Sequence, residues 1–187
     1  VLDLGFGDCR NMSLLNNCGL NIYGVEITED IVALGYQTLE SIGVTADLKV
    51  GSNANIPYED GLFDYIVASS SCYYVDSNLS FSDNLKEMIR VLKPGGSLIA
   101  NFPCFTSYSS MKENFILENC ELTDDGHVII HNDIYGIRNG YKFKAYKSKT
   151  DLFEEISHAF TDISIGECYD NYYGVQLNGY FLTAKKK

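Results

Sequence analysis

The sequence holds no apolar run approaching the length that spans a bilayer, and no secretory leader pattern. A membrane partner is therefore not expected, and the expected compartment is the cytoplasm. Basic residues are scarce: 14 Lys and Arg stand against 25 Asp and Glu, a formal net charge of −11. That balance argues against a broad polyanion-binding face, so nucleic acid is not an expected partner. Lys185-Lys186-Lys187 reads as a solvated tail. The six cysteines, Cys9, Cys18, Cys72, Cys104, Cys120 and Cys168, form no Cys-x-x-Cys pair, which argues against structural zinc. They read as reduced thiols, most of them small buried hydrophobes. No catalytic triad or metal-ligand cluster stands out, and no metal is expected. His127 and His131 lie four apart in a β-like segment with no acid partner evident, and read as surface or packing residues. His158 falls in the last helix and reads as exposed.

What is present suits one domain. The chain has 187 residues, 45% of them hydrophobic, enough to bury a core. Val1 already belongs to a core strand and there is no initiator Met, so the natural chain is expected to begin further upstream. Strand and helix alternate from there. Val1 to Leu4 reads as a buried strand and Asn11 to Asn17 as a helix stopped by Gly19. Asn21 to Ile27 is a second strand. Thr28 caps a second helix, in which Ile31, Leu34, Leu39 and Ile42 recur at helical spacing. Leu48 to Val50 and Asp64 to Ser69 are the next strands. A helix from Ser82 to Leu92, a turn at Pro94-Gly95-Gly96 and a fifth strand from Ser97 to Phe102 follow. This alternation predicts a parallel sheet with right-handed crossovers.

After Pro103 the pattern changes. Met111 to Cys120 reads as a helix, His127 to His131 and Tyr141 to Tyr146 as β-like, with a turn signal at Asn139-Gly140. Residues 105–147 are thus expected to be an insertion over one end of the sheet. Ser148 and Asp151 have capping-box spacing before a final helix with Leu152, Ile156 and Phe160 facing inward. Asp162 to Glu167 and Tyr180 to Ala184 read as two last strands joined by a loop, an antiparallel edge.

The first turn carries the strongest functional signal. Gly5-Phe6-Gly7 follows a strand and precedes a helix, whose free N–H groups and dipole favour an anion. The dinucleotide fingerprint would need a glycine where Arg10 stands, so that reading fails. An acid at the strand end, Asp3, followed by Gly-x-Gly, resembles motif I of the class I S-adenosylmethionine-dependent methyltransferases. That family usually has a third glycine at the position of Cys9. Glu26 ends the second strand nineteen positions past Gly7, where a carboxylate can accept hydrogen bonds from ribose hydroxyls. Gly51 to Tyr58, followed by Phe63-Asp64, looks like the family's adenine loop, with Ser52 where its Asp often stands and Asn53 alongside. Ser69 to Val75 closes the fourth strand, and Val91 to Ile99 matches a structural signature of the family.

The resemblance covers Val1 to Phe102. It implies a Rossmann-like, doubly wound α/β fold whose mostly parallel sheet ends in a C-terminal antiparallel hairpin, with an inserted cap after the fifth strand and a single methyltransferase domain over 1–187. It implies S-adenosyl-L-methionine as cofactor, with Asp3, Gly5, Phe6 and Gly7 at its methionine end and Glu26 on the ribose. Ser52, Asn53 and Ile56 would hold the adenine edge, Ile27 and Ala54 would also contact the cofactor, and Ser69 and Ser70 would lie beside the sulfonium. Tyr73, Tyr74, Phe105 and Tyr108 would line the acceptor site, shaped by the Ser69–Tyr74 segment and roofed by the insertion's aromatics, Tyr135, Tyr141 and Tyr146 among them. The Asn/Asp-Pro-Pro-Tyr segment of many nucleobase and glutamine methylating enzymes is absent. The expected function is methyl transfer to an O or N atom of a small molecule by direct displacement, without a required acid–base motif. A protein-directed methyltransferase and an inactive cofactor-binding scaffold are the alternatives. The residues leave the oligomeric state open.

Overall fold

Leu2, Asp3 and Leu4 form strand β1 (Leu2–Leu4), and all three side chains are buried. A strand hidden on both faces belongs in the middle of a parallel sheet. The computed structural model places it there and describes residues 1–105, 120–132, 138–172 and 175–187. The elements that follow are α1 (Arg10–Asn17), β2 (Ile22–Glu26), α2 (Glu29–Ser41), β3 (Ala46–Val50), β4 (Phe63–Ala68), β5 (Tyr74–Val75), α3 (Phe81–Val91) and β6 (Leu92–Pro103). Then come β7 (Cys120–Leu122), β8 (His127–Ile130), β9 (Lys142–Lys144), α4 (Lys149–Ile156), β10 (Phe160–Tyr172) and β11 (Val175–Lys186).

Seven strands form the main sheet in the order β10-β11-β6-β4-β1-β2-β3. β3, β2, β1, β4 and β6 pair in parallel, with Leu2 opposite both Tyr23 and Ile66. β6–β11 and β11–β10 are antiparallel. The doubly wound sheet with its antiparallel edge is as expected. Strand order reverses at β1, between β2 and β4, which opens a crevice at their carboxyl ends. Among the described residues no helix is long and apolar enough to cross a membrane.

Four details differ from the sequence expectation. Pro94-Gly95-Gly96 is a bulge inside β6: the ladder passes from Phe63–Leu92 to Tyr65–Ser97, with Gly95 at φ +77°. The last hairpin pairs from Phe160–Lys186 to Tyr172–Val175, so the described residues of the stretch expected as a loop are strand, and Phe160 starts β10 instead of ending a helix. α2 buries Gly35 and Leu39 and leaves Leu34 and Ile42 exposed. The reason is Phe6, whose ring is wedged between α2 and β2. A Cβ on Gly24 would lie 2.7 Å from it and one on Gly35 2.8 Å, so the small residues set the helix face. Finally, both histidines have acid partners. His127 is buried with Nδ1 3.0 Å from Asp125, and exposed His131 lies 3.2 Å from Glu121.

The segment after β6 contributes to a second, antiparallel sheet ordered β5-β9-β8-β7. β5 comes from before α3, so the insertion is stitched to the exit of β4 through Tyr74–Phe143 and Val75–Lys142. The expected Met111–Cys120 helix falls outside the described residues apart from Cys120, which begins β7. Ser148 and Asp151 form the anticipated capping box on α4. All six cysteines are free thiols.

Candidate functional site

The turn after β1 is held against both neighbouring strands. Gly5 donates its N–H to the Val25 carbonyl at 2.9 Å. Its φ is +73°, and a Cβ there would sit 2.4 Å from Ser71 Cβ, so glycine is needed both for the turn and for the approach of the β4 exit. The Ser71 hydroxyl donates to the Leu4 carbonyl across the same contact. Cys9 then takes φ +64°, ψ +17°, a left-handed conformation that glycine adopts most freely. Cysteine holds it at a strain of about 1–2 kcal/mol. The cysteine side chain is buried with Sγ 3.8 Å from the Gly35 carbonyl, and burial pushes its thiol up to about 11.

Glu26 and the turn meet directly. Gly7 donates its N–H to Glu26 Oε1 at 2.9 Å, and Ile27 donates its N–H to Oε2 at 3.0 Å. Two backbone donors fix the carboxylate at the end of β2. An ionised carboxylate has about four acceptor sites, so capacity remains for hydroxyl donors of a ligand.

Asp3 lies beneath the turn and has no exposed surface. Its Oδ1 accepts from Asn11 Nδ2 at 3.4 Å, while Oδ2 is buried without a partner. Burial raises its carboxyl to about 6, helped by the charges of Glu26 and Asp8 and opposed by the Asn11 bond.

A cavity of about 440 Å³ opens at the carboxyl ends of β1, β2 and β4. Gly5, Glu26 and Ile27 line one side, with Ser52 and Asn53 from the loop after β3. Ser70 and Tyr74 line the other. The structure therefore brings seven of the expected residues to one space. Ser70 sits at φ +58°, held by Asn101, whose Oδ1 accepts the Ser70 N–H at 2.6 Å and whose Nδ2 donates to Ser70 Oγ at 3.0 Å. The far wall comes from the second sheet: Tyr74 and Tyr141 meet edge to face, ring centroids 5.7 Å apart, and Gly140 and Lys142 flank them. Burial raises the Tyr74 phenol, against the opposing effects of Arg138 and Tyr73, so it stays protonated at neutral pH.

Other expected residues are placed elsewhere. The Phe6, Ile56 and Tyr73 side chains are buried in the cores, and Asp3 is sealed under the turn. Phe105 packs on the main core with the Lys147 ammonium 5.3 Å from its ring, away from the cavity walls. Gly7 reaches the site through its N–H on Glu26, while Ala54 and Ser69 do not line the cavity. Tyr108 and Tyr135 lie outside the described residues. Ser71, inside the expected Ser69–Tyr74 segment, and Tyr141, one of the insertion's aromatics, do line the cavity, while Tyr146 is buried in the main core; the sequence reading missed Val75, Asp76, Ser77, Gly140 and Lys142. Asn139-Gly140 and the aromatic Tyr141 were the local signals for the wall they belong to.

Against this geometry stands a family comparison. A model described as a methyltransferase domain matches residues 2–100. The chain belongs to this family of S-adenosylmethionine-dependent methyltransferase domains. A demethylmenaquinone methyltransferase of Bacillus mycoides is 35% identical over 79 residues, 42% of this chain and 32% of that protein. One of Bacillus cytotoxicus is 32% identical over 91 residues, 47% of this chain and 37% of that protein. The chain thus spans about a third of the length of these curated relatives. The solved structure of a SAM-dependent methyltransferase from Methanosarcina mazei has a TM-score of 0.78 at 21% identity, covering 99% of this chain and 91% of its own. One from Clostridium acetobutylicum has a TM-score of 0.65 at 20% identity, covering 97% and 82%. These structures share the fold.

The methyltransferase site fits S-adenosylmethionine on its own chemistry. Position 7 faces open space where a ligand can approach the backbone. Glu26 retains acceptor capacity, and the unpartnered Asp3 Oδ2 puts negative potential beneath the turn, suited to a cationic ligand.

Proposed function

We propose that this methyltransferase moves a methyl group from S-adenosylmethionine to an O or N atom of a small molecule by direct displacement. The observation that carries the reading is the single cavity onto which Gly5, Glu26, Ser52, Ser70 and Tyr74 converge, with Gly7 hydrogen-bonded to Glu26. When bound, the cofactor supplies a methyl group already activated by its sulfonium sulfur. Gly5 and Gly7 let it approach the backbone, and Asp3 favours its ammonium through the buried charge. Glu26 accepts from the ribose hydroxyls, and Ile27 and Ser52 border the adenine. Ser70, fixed by Asn101, flanks the reacting end. The second sheet's edge at Gly140, Tyr141 and Lys142 shields the cavity from water, and Tyr74 and Tyr141 hold the acceptor in line. Tyr74, protonated at neutral pH, serves as a hydrogen-bond donor.

The relatives' demethylmenaquinone name and the aromatic wall both favour a small molecule over a protein side chain. The test is turnover. The chain is incubated with S-adenosylmethionine and panels of small phenols and amines, or of peptides, and S-adenosylhomocysteine release is followed. Release with a small molecule and none with peptides is expected. Release with peptides alone would overturn the choice of acceptor, and no measurable cofactor binding would overturn the activity itself.

A further inference from the structure

Asn53 lines the cavity, but its amide nitrogen faces the protein. Its Nδ2 donates to the Ser71 carbonyl at 2.9 Å and to the Tyr74 carbonyl at 3.0 Å. Both partners are acceptors, so the amide nitrogen must be the end that points there. The Tyr74 carbonyl also receives Asn84 Nδ2 at 2.7 Å, and the same Asn84 nitrogen donates to the Cys72 carbonyl at 3.0 Å. Asn84 is buried on α3. Two amide groups from different elements thus hold the short turn that ends in Tyr74, whose own N–H closes on the Ser71 carbonyl at 3.1 Å.

α3 grips the other end of the loop as well. Asn84, Glu87 and Arg90 recur every three residues along one face of α3. Glu87 Oε2 accepts the Ile56 N–H at 2.9 Å, and Arg90 donates to the Ile56 carbonyl at 2.7 Å and the Tyr58 carbonyl at 2.8 Å. Loop 52–58 and the acceptor wall therefore share one support.

We infer that Asn53 is a positioning residue whose amide nitrogen ties the adenine-side loop to the acceptor wall at Tyr74 and is not free to serve a ligand. Binding at Ser52 is then transmitted to the ring that holds the acceptor. This rests on the cofactor reading above.

Asn53→Asp separates the two roles. A carboxylate accepts from an adenine amino group at least as well as an amide does, but it sets oxygen lone pairs against two carbonyls and loses both donors. Calorimetric titration with S-adenosylhomocysteine is expected to show affinity about tenfold lower for Asn53→Asp. Affinity equal to or tighter than wild type would overturn the inference. Near-ultraviolet circular dichroism gives a readout without ligand, since the chain has 14 Tyr and no Trp. Asn53→Ala and Asn84→Ala, which add no charge, are both expected to alter the tyrosine spectrum, and Asn53→Gln to restore part of it. An unchanged spectrum in both alanine variants would overturn the inference even if they bind weakly. A flat wild-type titration instead sinks the cofactor reading and leaves the spectra to decide the positioning role.

Discussion

Asp3→Asn isolates the charge buried beneath the turn. With the carboxyl raised to about 6 in the fold from an ordinary 3.8, the native state holds a proton that the unfolded chain has released between those values. Stability therefore falls as pH rises through that window and stays low above it. At about 1.36 kcal/mol per pKa unit, and with part of the penalty already present at pH 4, the ionised Asp3 costs the native state about 2 kcal/mol at pH 8 relative to pH 4. For a chain of this size that corresponds to about 4–8 °C in Tm. Asparagine cannot ionise. The amide nitrogen it puts in place of Oδ2 adds a cost of its own, but that cost is the same at both pH values and cancels in their difference. Thermal melts of both proteins at pH 4 and pH 8 should show a variant-minus-wild-type Tm difference several degrees more positive at pH 8. A difference independent of pH would refute the reasoning, because the burial of Asp3 would then carry no charge penalty.

Three further outcomes follow from the same turn and its surroundings. Gly5→Ala forces a Cβ to 2.4 Å from Ser71 Cβ at φ +73°, whereas at Gly7 a Cβ meets nothing within 4 Å; urea melts should show a loss of about 1 kcal/mol for Gly7→Ala and at least twice that for Gly5→Ala. Cys9→Gly relieves the left-handed strain while giving up a buried thiol, so it should stay within about 1 kcal/mol of wild type, and Cys9→Val, β-branched at the same φ, should lose about 2 kcal/mol or more. Native alkylation read by mass spectrometry should modify exposed Cys18 before Cys9 and Cys72, whose thiols burial pushes up to about 11 and about 12.

The parallel core was legible because its signals are local. Leu2 and Leu4 announce a buried strand, Gly5 and Gly7 a turn, and Glu26 falls where one turn, one helix and one strand must end. The pairing of Gly7 with Glu26 follows from that spacing. The rest depends on contacts distant in sequence or on residues that hydrophobic periodicity ignores. Gly35 is invisible to an apolar pattern, yet the Phe6 ring that lies on it decides which face α2 buries. Pro94-Gly95-Gly96 has turn chemistry, but strand pairing on both sides makes it a bulge. The aromatic wall arises when β5 pairs with β9, nearly seventy residues on, and no local signal near Tyr74 names Tyr141 as its neighbour. Asn53 has a residue type suited to adenine recognition, and only the carbonyls of Ser71 and Tyr74 show where its amide goes.

The central proposal is that the first turn and Glu26 grip one adenosyl ligand. Isothermal calorimetry of S-adenosylhomocysteine into the wild type and Glu26→Ala tests it most directly. Removing a charged partner of ligand hydroxyls, which also frees the Gly7 N–H, should weaken binding by at least about tenfold while the wild type gives a clear single-site isotherm. Equal affinity in the two proteins, or no heat with the wild type, would contradict it.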